Sequence, residues 1–184
     1  MGLIVVGISE YRCSTDRDAS IVTYALGSCI GVGAFDPVAG VAGILHFLLP
    51  DSRQDPERAL GQPASYADTG IPLLIRAMER LGADRRRIRV RLAGGAQILS
   101  DNAQLAVGKR NYMAARKALW QLGVMVEMEA VGGAVSRNLG ITVDTGDFWV
   151  QTKGPGGNTD NGNGSAGEKL ARRGLVTGAR ECQK

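Results

Sequence analysis

Histidine occurs once in these 184 residues, cysteine three times, and aromatic residues make up only 5% of the chain. Each shortage removes a class of function. Structural and catalytic zinc sites draw on several Cys, His or carboxylate ligands at recognisable spacings. Cys13, Cys29 and Cys182 fall at no such spacing and His46 stands alone, so no metal is expected. The odd number of cysteines fits reduced thiols better than a disulfide framework, which makes a cytoplasmic setting the default. No apolar run approaches the roughly 20 residues of a membrane span. The stretch 3–8 is too short, and lacks a preceding basic residue, for a signal-peptide core. Basic and acidic side chains nearly balance, 22 against 18, without the one-sided gathering of a nucleic-acid footprint. Neither Gly94-Gly95 nor Gly132-Gly133 fits a phosphate-binding loop, so both read as turns and close sheet contacts, and no cofactor is expected.

What the chain does have is glycine, 26 residues of it, within an apolar content of 44%. That combination points to strands, tight turns and close backbone contacts rather than to a helical bundle. Strands are expected at 3–8, 20–24, 88–92, 124–130, 139–143 and 148–150, with a hairpin around Asp36-Pro37. The polar stretch 51–63, with two prolines, reads as a loop and a candidate mobile rim. Helix character begins near Tyr66, and Ile71, Leu74, Ile75, Met78 and Leu81 recur at helical spacing until Gly82; Pro72 lies in the first part of that helix, so its regular portion is expected to start there. A second helix is expected over 111–122, ended by Gly123. Arg85-Arg86-Arg87 reads as a solvated connection. The fold class is therefore α/β, mostly antiparallel strands covered by two principal helices. Residues 1–153 form one domain, and the Gly/Asn-rich, basic segment 154–184 is expected to be a disordered tail.

The chemistry centres on His46, which lies seventeen residues after Cys29 with the Asp36-Pro37 turn midway between them. With Pro37 and Val38 at the hairpin tip, Cys29 falls directly opposite His46. Opposed residues of an antiparallel pair hold their Cβ atoms about 4.5–5.5 Å apart, so thiol and imidazole are expected to share a proton, the arrangement a cysteine hydrolase needs. A reversal near Leu26-Gly27 would lay Thr23 on the other flank of Cys29, making one row of Thr23, Cys29 and His46. Gly31, Gly33, Gly40 and Ala42 are expected to leave room above the thiol for a substrate side chain. Each residue has an ordinary reading as well: cysteine as a small core hydrophobe, histidine as a satisfied core residue, threonine as a strand former. The spacing about a turn is what lifts the pair above those readings.

Leu26-Gly27-Ser28-Cys29, Asp36-Pro37 and Gly43-Ile44-Leu45-His46-Phe47-Leu48-Leu49-Pro50 resemble the signature of the CheD family, the chemoreceptor glutamine deamidases. Tyr66-Ala67-Asp68, Gly94-Gly95-Ala96, Gly108-Lys109-Arg110-Asn111, Gly132-Gly133 with Arg137, and Thr145-Gly146 follow in the same order, with Ser136 a departure where the family often has glycine. The resemblance implies a two-sheet core with helices outside, similar to cysteine deamidases of the cytotoxic-necrotizing-factor type. It implies hydrolysis of glutamine side chains to glutamate on methyl-accepting chemotaxis receptors, without metal or cofactor. Its nucleophile, base and orienting residue map onto Cys29, His46 and Thr23. Withdrawal of the thiol proton by His46 gives a thiolate–imidazolium pair, and backbone N–H groups at Gly27 and Ser28 belong to the oxyanion and substrate loop. The competing reading is an adaptor that binds and stimulates a CheC-type response-regulator phosphatase.

Overall fold

The computed structural model describes residues 2–97, 106–153 and 159–161. Its strands are β1 (Gly2–Val6), β2 (Glu10–Ser14), β3 (Ala19–Leu26), β4 (Ile30–Asp36), β5 (Val41–Phe47), β6 (Arg89–Gly94), β7 (Met125–Val131), β8 (Ser136–Thr142), β9 (Phe148–Lys153) and β10 (Thr159–Asn161). Three α-helices accompany them: α1 (Pro56–Gly61), α2 (Ala67–Arg80) and α3 (Val107–Gln121). Two sheets stack, one ordered β1-β3-β8-β9-β10 and the other β2-β5-β4-β6-β7. Among the described strand pairs only β1–β3 and β6–β7 are parallel, so the mostly antiparallel α/β architecture with two principal helices is as the sequence implies.

Three layers follow from where the apolar side chains lie. Between the sheets pack Val6, Ile21, Leu26, Ile44, Leu139 and Phe148, among others. On the far face of the second sheet, Ile30, Val32, Leu45 and Phe47 meet Ile71, Leu74 and Met78 of α2 and Leu119 of α3. Strands β4 and β5 are therefore covered on both sides, and every residue of each is buried. That is why they read as apolar runs rather than as alternating strands. The room expected above Gly33 is filled by the facing sheet, because a Cβ there would lie 2.5 Å from Phe148 Cε1. Gly31, where a Cβ would meet Leu26 and Leu139, and Gly33 thus let the sheets approach and do not leave room for a substrate, while Gly40 lies in the hairpin turn.

Both long helices end where the sequence places their stop signals. Gly82 and Gly123 adopt positive φ, and the N–H groups of Ala83 and Val124 donate back to the Met78 and Leu119 carbonyls, satisfying groups the helix end leaves open. α2 begins at Ala67, in keeping with helix character expected from near Tyr66, but it is already regular before Pro72: Ala67, Gly70 and Ile71 are buried, and the Gly70 N–H donates to the Tyr66 carbonyl, so packing holds the turn before the proline. α3 begins at Val107 rather than 111. The stretch 51–63 is not a simple loop: a 3-10 turn at Ser52–Gln54 and α1 are capped by the Asp51 and Asp55 side chains, with Pro56 at the start of α1. Strand β2 lies outside the expected set, since its Arg12 interrupts the apolar pattern. Ser136 opens β8 opposite Lys153 without breaking the ladder. Of the tail expected from 154 onward, only β10 lies among the described residues, paired with β9.

The β4–β5 hairpin departs from the expected register by two residues. Asp36 pairs with Val41 and Gly31 with His46, so the loop spans four residues rather than two. Asp36 imposes it. Its carboxylate accepts the Val38 and Ala39 N–H groups at 2.9 and 3.2 Å, its carbonyl accepts the Gly40 N–H, and Gly40 turns the chain at a φ of 63°. Burial pushes the Asp36 carboxyl up, but the Arg87 guanidinium at 2.9 Å and three backbone N–H groups outweigh it and hold it below its ordinary value. Arg87 thus anchors the hairpin rather than forming part of a solvated connection.

Candidate active site

Side chains alternate along a strand, so a two-residue shift leaves every residue on its expected face. His46 therefore points between the sheets, on the same face as Ala42 and Ile44. Its ladder partner is Gly31, not Cys29. Cys29 sits just before β4, two residues along from Gly31, and packs against the inter-sheet core. In a regular ladder such a diagonal relation spans about 7–8 Å between Cα atoms, within the reach of a long side chain. His46 is 1% exposed, whereas Gly27, Ser28 and Cys29 are each half-buried, so the opening lies at the cysteine end of the sandwich.

Thr23 approaches from the opposite sheet. It pairs with Val6 and Leu139 in the first sheet, and the row of three adjacent strands does not form. Ala25, at a φ of 57°, and the short connection 27–29 carry the chain from one sheet to the other instead of reversing it within a sheet. Across the interface, Thr23 Oγ1 lies 2.8 Å from His46 Nδ1 and 2.8 Å from the Val6 carbonyl oxygen.

That pair of contacts determines the imidazole tautomer. A threonine hydroxyl has one proton, and the Val6 carbonyl can only accept it. Thr23 must then accept from His46, which places the imidazole proton on Nδ1 and leaves Nε2 with a free lone pair. Burial pulls the ring down to about 4, so the neutral base persists at ordinary pH. Nε2 is itself buried and has no hydrogen-bond partner, Cys29 included. Burial likewise raises the Cys29 thiol above its ordinary value, with its own backbone N–H opposing the shift. Burial thus favours the neutral form of both groups in the free protein, a thiol at Cys29 and an unprotonated Nε2 at His46.

The loop carrying Cys29 is held along its length. The Gly27 carbonyl accepts the Ala96 N–H and the Cys29 carbonyl accepts the Gly95 N–H, both at 2.8 Å. Gly94 makes this approach possible: its φ is 106°, and a Cβ would collide with the Cys29 carbonyl oxygen. The Ser28 carbonyl accepts from Asn111 Nδ2 at 3.0 Å, and the same amide donates to the Leu48 carbonyl at 2.7 Å. Asn138 Oδ1 accepts the N–H of Ala25 at 3.0 Å. Asn111 stood in the sequence only as the end of the Gly108-Lys109-Arg110-Asn111 block, and Asn138 carried no signal. Their roles depend on partners 83 and 113 residues away in the chain. Cys13 is fully buried against the helix side of the second sheet. Among the described residues, no group of three or more His, Cys, Asp or Glu could hold a metal, and no helix is long and apolar enough to cross a membrane.

The family model of CheD, described as chemotactic sensory transduction, matches residues 48–152. A protein of Solibacter usitatus called probable chemoreceptor glutamine deamidase CheD is 44% identical over 154 residues, covering 84% of this chain and 91% of that one. A protein of Syntrophus aciditrophicus called probable chemoreceptor glutamine deamidase CheD 1 is 42% identical, covering 84% and 96% of the two chains. Among solved structures, the Neisseria meningitidis protein NMB0706 aligns with a TM-score of 0.48 at 12% identity, covering 73% of this chain and 65% of that one, too loosely to inform function. With matches of this extent and identity, the chain belongs to the CheD family.

Proposed function

We propose that this protein is a cytoplasmic amidohydrolase that converts glutamine side chains of methyl-accepting chemotaxis receptors to glutamate. Cys29 serves as nucleophile, His46 as proton carrier and Thr23 as the residue that orients His46. The observation that carries this reading is His46 Nε2, a buried base with its tautomer determined and no partner, in the inter-sheet core against which the half-buried Cys29 also packs, two residues from the ladder partner of His46. An unsatisfied buried acceptor costs about 1–3 kcal/mol, so the fold keeps an open position for an incoming proton. Catalytic hydrogen bonds are often longer in the free enzyme and tighten with substrate bound.

The steps start from the neutral thiol and imidazole. As a receptor glutamine enters at the 27–29 rim, the thiol proton passes to Nε2 while sulfur attacks the amide carbon. The oxyanion forms against backbone N–H groups of the loop, with Gly27 and Ser28 shaping its entrance. The imidazolium returns its proton to the amide nitrogen, and ammonia leaves a thioester. Water, deprotonated by His46, then releases glutamate and restores the thiol. Each turnover replaces a neutral amide with a carboxylate on a receptor helix, a local charge change able to alter a signalling equilibrium.

Intact-mass analysis of receptor cytoplasmic fragments tests the reading, with wild type and Cys29→Ala run side by side and ammonia measured in parallel. Wild type is expected to raise the mass by the difference between amide and acid, and Cys29→Ala to leave it unchanged. A wild-type protein that releases no ammonia yet stimulates a CheC-type phosphatase would replace the enzyme by the adaptor.

A further inference from the structure

Asn111 is completely buried on α3, yet its side chain reaches out of the helix to two carbonyls from two different segments. One belongs to Ser28, immediately before the cysteine, and the other to Leu48, two residues after the histidine. Both partners only accept, so both protons of the amide are committed to them and its orientation is determined by chemistry. Its Oδ1 is left buried and without a partner. The fold therefore accepts an unsatisfied acceptor to keep one donor pair on these two carbonyls.

The consequence for Cys29 follows from peptide geometry. The peptide unit is planar and trans, so its C=O and N–H point in opposite directions. Holding the Ser28 carbonyl toward α3 turns the Cys29 N–H away from the helix. That N–H lies against the cysteine's own sulfur. A backbone N–H of the nucleophile itself is well placed to receive the oxyanion that forms when the sulfur attacks. The neighbouring carbonyls of Gly27 and Cys29 are pinned by backbone N–H groups, so the Ser28–Cys29 peptide is the one unit of the loop oriented by a side chain.

We propose that Asn111 is a positioning residue of the active site. By clamping the Ser28 and Leu48 carbonyls with one buried amide, it aims the Cys29 N–H at the developing oxyanion and sets the spacing between the cysteine loop and the histidine strand. The inference rests on the reaction proposed above for Cys29. Removal of a single oxyanion donor lowers kcat by about 10²–10³, and an indirect loss of aim falls toward the lower end.

The test compares Asn111→Asp, which keeps the shape but places an acceptor against a carbonyl, with Asn111→Ser, which retains one donor. Four quantities are measured: the melting transition, kcat and KM for ammonia release from receptor fragments, and the pH profile of Cys29 alkylation by iodoacetamide read at the peptide level. Folded Asn111→Asp is expected to lose about a hundredfold in kcat with KM within about threefold of wild type, and Asn111→Ser to lose less. In both, alkylation is expected to move to higher pH, because the N–H no longer supports the sulfur's charge. Wild-type kcat in a folded Asp variant, an unshifted alkylation profile, or losses only in proportion to unfolded protein would overturn the proposal. Failure of both variants to fold would do the same, by making Asn111 a folding residue. If wild type releases no ammonia, the reaction falls and the alkylation shift alone decides for or against the clamp.

Discussion

Thr23 Oγ1 and His46 Nδ1 meet at 2.8 Å across the interface between two sheets, and the Val6 carbonyl beyond them makes the hydroxyl an acceptor toward the ring. A neutral threonine thus selects the tautomer and holds the plane of the imidazole, as a carboxylate does in catalytic triads. It adds no negative charge, so the imidazolium gains no ion pair and burial is free to depress its pKa.

Thr23→Val keeps the shape and removes the hydroxyl. It leaves the Nδ1 proton and the Val6 carbonyl unpaired and frees the ring to take the wrong tautomer. The kcat for ammonia release is expected to fall about ten- to a hundredfold, less than when a buried aspartate is lost, because no charge is involved. Thr23→Ser should recover most of it. Wild-type turnover in Thr23→Val would show that the contact is structural only.

The depressed His46 pKa predicts a pH dependence of stability. The unfolded imidazole titrates near 6.5 and the folded one near 4, so the unfolded state binds more protons in between. Stability is at its full value above pH 6.5, declines as pH falls through that window, and stops declining on this account below about 4. The total for a shift of this size is about 3 kcal/mol. Urea unfolding of wild type and His46→Gln across pH 4–7 is the measurement, and a slope that persists unchanged in the variant would assign it to other groups.

Burial favours the neutral thiol at Cys29 in the free protein. Alkylation of the free protein is expected to rise on the alkaline side of the ordinary thiol value, about 8.5, with no plateau at lower pH. A reactive plateau between pH 5 and 7, abolished by His46→Gln, would instead reveal a preformed ion pair.

Gly33→Ala tests how the sheets are held together. A Cβ there meets the Phe148 ring at 2.5 Å, which forces the ring or the sheet to move. The expected cost is about 1–3 kcal/mol in chemical denaturation, with the 27–29 rim unaltered. A neutral effect would mean that Phe148 has another rotamer to occupy.

Much of this molecule was readable in its residues because the controlling forces are local. Gly82 and Gly123 ended their helices where a left-handed residue is needed, whatever the surroundings. Period-two patterning put Cys29 and His46 on one face, and that parity survived a two-residue error in register. The error came from Asp36, whose carboxylate closes a four-residue loop that a symmetric reading of Pro37 and Val38 passes over. The start of α2 near Tyr66 was legible, but its regularity ahead of Pro72 was not, because it depends on tertiary burial of Ala67 and Ile71.

Residue identity alone determined which atoms are available for chemistry, one imidazole and three thiols, and spacing about the Asp36-Pro37 turn singled out Cys29 among them. Which groups face them was decided only by the stacking of two sheets and a helix. Thr23, Asn111 and Asn138 act through partners 23, 83 and 113 residues away along the chain. Contacts of that span depend on chain crossings between layers, and no periodicity within a strand or helix encodes them.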